Sequence, residues 1–341
     1  MMDSSTNPAA RQEHRRPHAL LVLGLVIPVL VAIPLWAFVW AAANLAPRDL
    51  PLGVAGQPAA VAPLTQQLAT TGGAFDVHTY PSAEAARDAI EHREIYGALV
   101  AAPEGLLLLT ASAASPAVAQ ALTQALTTQP GRGPVEVNDV VATAPRDPHG
   151  AAFGSSVLPL VIVSVLAGVI VMALSRPGWR QVAALAGAAV VAATVAIAMV
   201  QGWLEVLDGN WAVNLAALVL TVFALASTVV GLTAALGRVG LAVAAPLLIF
   251  IGNPWSGATS APELLPQPAG VIGQLLPPGA GSSLLRSTAF FDGAGATPHL
   301  LVLAAWSLIG LAGIWWGAHR NRSTVAVLRD AATPVAAAIA R

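Results

Sequence analysis

Apolar residues lie in long runs broken by short polar stretches, with one exception. The runs Ala19–Ala43, Ser155–Ser175, Gln181–Gln201, Trp211–Leu236 and His299–Gly317 are close to or above the roughly 20 residues needed to cross a hydrocarbon core. Each predicts a membrane helix. A further run, Val239–Gly252, contains Pro246 and spans only about 21 Å as a helix. It leads into "GNPWSGATSAPELLPQPAGVIGQLLPPGAGSSLLR", apolar but dense in Pro and Gly. Non-helical backbone at membrane depth is tolerated only inside protein or along a cavity. Residues 253–290 are therefore expected to form a re-entrant hairpin or two short helices dipping in from outside. The pattern reads as an α-helical polytopic membrane protein with six transmembrane helices (19–43, 155–175, 181–201, 211–236, 239–252 and 299–317). A short segment, 1–18, precedes them, and a tail, 318–341, follows. The first run exceeds the roughly 7–15 apolar residues of a signal peptide, which predicts a retained span rather than cleavage after Ala41-Ala42-Ala43.

The exception is residues 44–153, where the periods of strand and helix alternate. "LPLGVAG" predicts a strand, and "AAVAPLTQQLATTG" a helix closed by Gly72-Gly73. "FDVHTY" alternates as a strand does. Ser82 then caps a helix whose Ala85, Ala86, Ala89 and Ile90 share a face. "IYGALVAA" and "GLLLLTAS" read as a hairpin, "SPAVAQALTQALTT" as a helix with Pro116 at its first position, and "VEVNDVVATA" as a last strand. This is a small α/β domain of about 100 residues.

Charge orients the chain. All 16 basic residues are Arg. Ten of them (Arg11, Arg15, Arg16, Arg176, Arg180, Arg238, Arg320, Arg322, Arg329 and Arg341) fall in loops or tails on one side. The positive-inside rule makes that side cytoplasmic. Both termini are then inside, and the α/β domain is extracellular.

Composition also excludes chemistry. Without Lys there is no phosphate-binding loop of the G-x-x-x-x-G-K-[ST] type and no Schiff-base lysine. With no Cys there is no thiol nucleophile, thiolate metal site or disulfide. A net charge of −1 gives no nucleic-acid footprint. Asp88 and His92 stand four apart, half of a metal site at most. Together with Arg87 and Glu91 they read instead as a solvated face with i,i+4 support. No catalytic residue, cofactor or metal is expected.

Two motifs carry a resemblance. "YPSAEAARDAIEHREIYGALV" resembles the outside-domain pattern of the YhgE/Pip-like group of ABC type-2 exporter permeases. "GATSAPELLPQPAGVIGQLLPPGAGSSLLR", with Pro262, Glu263, Leu264, Pro266, Leu276, Pro277, Leu285 and Arg286, is similar to the group's Pro-Glu-Leu-x-Pro stretch and following Leu-Arg. The likeness extends over nearly the whole chain, although "LPLGVAG" lacks the Asn and acidic residue usual there and the outside domain is short. The resemblance implies a bacterial cytoplasmic-membrane permease subunit powered by a separate ATP-binding subunit, working as a homodimer or heterodimer with another permease. The residues agree with it. No Asp, Glu, Arg or His stands mid-span, so proton-coupled pumping has no carrier. An apolar bundle interior suits amphipathic or lipid-like cargo. The alternative is a non-transporting scaffold or receptor that presents the extracellular domain.

Particular residues take roles in this reading. Arg176, Trp179 and Arg180 in "SRPGWRQ" are the candidate partner-coupling handle, with an interfacial anchor as the plainer alternative. The N-terminal "PAARQEHRRPH" is a candidate coupling helix or a topology signal, and the tail a surface helix interrupted by Pro334. Glu263, Pro266, Pro277 and Arg286 bracket a candidate outer gate, with Glu263 expected to pair with Arg286. Gly313 and Gly317, and the stripe Ala184, Gly187, Ala188 and Ala192, mark candidate helix-packing faces. Ser164, Thr194, Asn214, Thr221, Ser227 and Thr228 either line a substrate path or bond their own backbone.

Overall fold

The computed structural model describes residues 16–102, 105–128 and 135–339. Most of "PAARQEHRRPH", including Arg11 and Arg15, lies outside them. A first helix, α1 (Arg16–Ala43), carries through Pro28 and Pro34. The α/β region follows as β1 (Leu50–Ala55), α2 (Pro58–Ala69), β2 (Phe75–Tyr80), α3 (Ala83–Glu91), β3 (Gly97–Ala102), β4 (Gly105–Thr110), α4 (Pro116–Thr127) and β5 (Glu136–Asp139). The sheet order is β2-β1-β3-β4-β5. β1 lies parallel to both β2 and β3, β3 and β4 form an antiparallel hairpin, and β5 runs parallel to β4.

Local chemistry explains the boundaries. The Ser82 side chain accepts from the Ala85 amide and opens α3. Ser115 does the same for Val118, with Pro116 at the first position of α4, where its missing N–H costs nothing. Leu50, Leu52, Leu99 and Leu108 pack with Val118 and Leu122 of α4 on one face of the sheet. Ala86, Ala89 and Ile90 of α3 close the other.

The second half is helical: α5 (Ala151–Leu174), α6 (Trp179–Ile197), α7 (Trp211–Leu236), α8 (Arg238–Pro246), α9 (Ala269–Gln274), α10 (Pro277–Phe290) and α11 (Thr297–Ile339). Two of these end in π-helical turns, α6 through Ala198–Trp203 and α8 through Leu247–Gly252. α7 is the axis of the bundle, with α5, α6, α8, α10 and α11 packed on it. Its apolar window is 67% buried, against 33% or less in the other long helices. Leu166, Ile170, Val191, Val195, Leu301 and Leu308 point outward from the surrounding helices.

Among the described residues four helices are long and apolar enough to cross a membrane: Ala151–Leu174, Trp179–Trp203, Trp211–Leu236 and Thr297–Arg320. Ile27–Ala43 and Arg238–Gly252 are shorter apolar helices. α11 continues unbroken to Ile339. The tail is thus not a separate helix interrupted by Pro334: one proline removes one backbone bond, and the helix runs through it as α1 does through its own two.

Segment 253–290 folds as a 3₁₀ turn (Pro262–Leu264) followed by α9 and α10. Every residue of α10 from Pro277 to Ala289 is buried. The segment is shared with the α/β region. Ala261 and Leu264 belong to the leucine core under the sheet, and Phe291 to the cluster beneath α3. Backbone bonds from Ala46 to Leu264 and from Arg48 to Glu263, both 3.0 Å, pin the chain leaving α1 to the 3₁₀ turn. The Ser115 hydroxyl donates to the Ser260 carbonyl at 2.6 Å. The α/β region is therefore joined to the bundle by a common core rather than tethered by a linker.

Candidate functional site

The two sequence motifs meet at one place, a cavity of about 300 Å³ between the α/β region and the 253–299 segment, with several charged residues in its wall. From the first motif come Arg93, Glu94 and Tyr96. From the second come Glu263, Gln274, Ser283 and Arg286, with His299 at the start of α11 completing the wall.

Backbone geometry aims these side chains. α3 ends at His92, and Arg93 takes a left-handed φ of 61°, a conformation that is uncommon for a non-glycine residue. Arg93 reaches the bundle, where its Nη1 donates to the Ser283 carbonyl at 3.1 Å and to the Ser287 hydroxyl. Its guanidinium lies 5.3 Å from the Phe291 ring centroid. Tyr96 is held by its backbone bond to Pro51 and donates its hydroxyl to Glu263 Oε2 at 2.7 Å. Burial, reinforced by the Glu263 charge, pushes the Tyr96 phenol well above its ordinary range. Burial also lowers Arg93, against the opposing pull of Tyr96 and Glu263. Gln274 bridges the floor, donating to the Ser256 carbonyl at 2.7 Å and accepting from Ser283 at 2.8 Å.

Arg286 is 4% exposed. Its Nη2 donates to the Ala258 carbonyl at 2.8 Å, and its guanidinium lies 4.7 Å from the Phe153 ring centroid. The expected Glu263–Arg286 pair does not form. Among the described residues the ion pairs are His78–Asp76 and Arg146–Glu205. The 3₁₀ turn hands the Glu263 carboxylate to Tyr96, while α10 carries Arg286 under the loop at Ala258. Pro266 and Pro277 are both buried, the latter at the first turn of α10.

A second cavity lies inside the bundle. It holds about 50 Å³ among Leu160, Val200, Leu218, Thr221, Gly281 and Leu285 and is mostly apolar. Of the six candidate path residues Thr221 lines it, together with Ser156 and Ser282. Ser164, Thr194, Thr221, Ser227 and Thr228 all donate to carbonyls three or four residues back in their own helices. Asn214 instead donates to Gln201 and to the Asp208 carbonyl.

At the opposite end, Arg176, Trp179 and Arg180 are exposed around the turn between α5 and α6. Trp179 is 67% exposed, with the Arg180 guanidinium 5.7 Å from its ring centroid. Gly313 and Gly317 pack within the chain: a Cβ on Gly313 would stand 2.4 Å from the Gly231 carbonyl oxygen, and one on Gly317 2.8 Å from the Ala234 Cβ. On α6 the buried stripe is Leu185, Ala189, Ala193 and Ile197. Ala184 and Gly187 turn outward, and Ala188 and Ala192 are half-buried. The expected Asp88–His92 and Arg87–Glu91 ion pairs are not formed among the described residues. The His92 ring contacts the Asp88 backbone carbonyl at 2.7 Å.

The sequence named Glu263 and Arg286 as part of a candidate outer gate but not Arg93, Tyr96 and His299, which line the same cavity. The signal for Arg93 and Tyr96 was their position in "EHREIYGALV", inside the first motif. No protein-family model, curated protein or solved structure matches the chain.

Proposed function

We propose that this chain is the membrane-spanning permease subunit of an ATP-driven exporter of amphipathic or lipid-like cargo, energised by a separate ATP-binding subunit. In this reading six helices span a bacterial cytoplasmic membrane, α1 and α8 among them. Both termini are cytoplasmic, and the α/β domain caps the extracellular end. The observation that carries it is the placing of the two π-helical turns. Both lie at the domain end of the bundle, beside the apolar cavity. Val200 of the first lines that cavity, and Leu248 of the second packs on Val157, Val161 and Leu225 around it. π-turns inside α-helices recur at functional sites. A cavity of about 50 Å³ is far below the roughly 300–1,000 Å³ of a ligand pocket. Passage of cargo therefore requires these helix ends to part. The core shared by domain and bundle couples such a movement to the cap. It favours transport over a receptor that merely displays its outside domain.

The test is co-purification from the native host in mild detergent by a C-terminal tag. An ATP-binding subunit that arrives with vanadate-sensitive ATPase activity is the expected result. A protein that comes alone and inert, even after cross-linking, gives the scaffold or receptor reading precedence.

A further inference from the structure

Arg93 and Arg286 both line the cavity between the α/β region and the bundle, and among the described residues neither makes an ion pair with a carboxylate. Arg286 is almost completely buried, and among the described residues its guanidinium meets the Ala258 carbonyl and the Phe153 ring. Arg93 meets the Ser283 carbonyl, the Ser287 hydroxyl and the Phe291 ring. The one inward carboxylate, Glu263, is engaged by the Tyr96 hydroxyl. The other acid on the lining, Glu94, is exposed. Removing cations from water is costly unless an opposite charge joins them. Here one buried and one half-buried cation line a cavity of about 300 Å³ whose acids are Glu263 and the exposed Glu94.

From this arrangement we infer that the cavity binds a phosphate group, clasped between Arg93 of the α/β region and Arg286 of α10. Guanidinium forks match phosphate oxygens and form strong charge-assisted bonds with them. Two forks from different walls suit a tetrahedral anion whose oxygens point several ways. A carboxylate offers only two oxygens, in one plane. The cavity sits where the bundle ends and the α/β region begins, so the phosphate belongs either to a lipid headgroup or to a dissolved anion. The inference stands apart from the transport reading and survives its failure.

The probes are inorganic phosphate and a short-chain phosphatidylglycerol, each added to the purified full-length protein in an uncharged detergent. Controls are chloride at matched ionic strength and the corresponding short-chain diacylglycerol, which lacks the phosphate. A saturable rise in Tm of roughly 5 °C is expected from at least one probe and from neither control. A response to phosphate alone assigns a dissolved anion, and one to phosphatidylglycerol alone a lipid. A response to both shows that the phosphate group suffices. Arg93→Gln is expected to weaken the response at least about tenfold. Arg146→Gln, at an exposed residue paired elsewhere with Glu205, leaves it unchanged. No response to either probe, an equal response to diacylglycerol, or an undiminished response in R93Q overturns the proposal. Should R93Q not fold, phenylglyoxal modification of the wild-type protein replaces it. Arg93 must then be protected by the active probe, and unchanged modification counts against the site.

Discussion

The Tyr96 hydroxyl donates to Glu263 Oε2 across 2.7 Å, joining residues 167 positions apart in the chain. Tyr96 precedes the central strand β3, and Glu263 stands in the 3₁₀ turn ahead of α9. Their bond crosses from the α/β region to the helical half. Tyr96→Phe leaves a partly buried carboxylate without its donor and is expected to cost about 1–3 kcal/mol. Denaturation of wild type and variant in the same detergent measures it. Glu263→Gln added to Tyr96→Phe should cost less than the sum of the two single changes.

The same phenol sets an alkaline limit. Burial and the Glu263 charge raise its pKa in the folded state, so the stabilisation is fully present below the unfolded value, about 10. It is lost as pH rises beyond that point, where the unfolded chain releases a proton that the folded chain retains. Wild-type stability is expected to fall above about pH 10, and the fall should be shallower in Tyr96→Phe. Parallel slopes for the two proteins would refute it.

Exchanging the charges of Glu263 and Arg286 is not expected to restore what either loses alone, because the two do not pair. Arg286→Glu places an acid beneath the Ala258 carbonyl and against Phe153, and no second change corrects that. Each single variant should be destabilised by about 1–3 kcal/mol or more, since each leaves hydrogen-bonding groups of the buried junction unsatisfied. Thermal unfolding of the double variant at or below the weaker single variant is the expected outcome.

Helices α7 and α11 touch through glycine. A Cβ on Gly231 would stand 2.2 Å from the Gly310 carbonyl oxygen, and one on Gly310 2.5 Å from that of Ser227. Gly231→Val or Gly310→Val must separate the helices. The cost is about 1–3 kcal/mol or more, seen as aggregation in size-exclusion chromatography. Gly187→Val, at a glycine with open space around it, should leave the elution profile unchanged.

If the turn at Trp179 couples to an ATP-binding subunit, Trp179→Ala should reduce the co-purified ATPase about tenfold or more while leaving Tm unchanged. The ring is 67% exposed, so its loss opens no cavity in the bundle. Retention of full ATPase would return Trp179 to the role of interfacial anchor.

The elements of the α/β region were legible in sequence because their signals are local. Ser82, Ser115 and Pro116 start helices by rules that act within one turn, and "FDVHTY" shows its period by itself. The junction was not legible, because its partners are distant. Arg93 reaches the bundle only because its backbone turns left-handed, which nothing in "EHREIYG" announces. α10 was harder still. Ser282, Ser283, Arg286, Ser287 and Thr288 are all buried, although their composition resembles an exposed helix. They are covered because the α/β region, the 253–265 loop and α7 close around them. Gly313 and Gly317 were read as a packing face, but the partner, α7 of the same chain, follows only from the three-dimensional path.

The π-helical turns at Ala198–Trp203 and Leu247–Gly252 have a consequence for length. A π-turn accommodates one residue more than an α-turn would. Deleting one residue from either turn would let it rewind as regular α-helix. Because the π-turn absorbs its extra residue without re-phasing the helix, the deletion would shorten the helix end by one residue and draw the following loop toward the bundle. Each of these two helices thus carries one residue of slack at the point where the chain leaves its shaft.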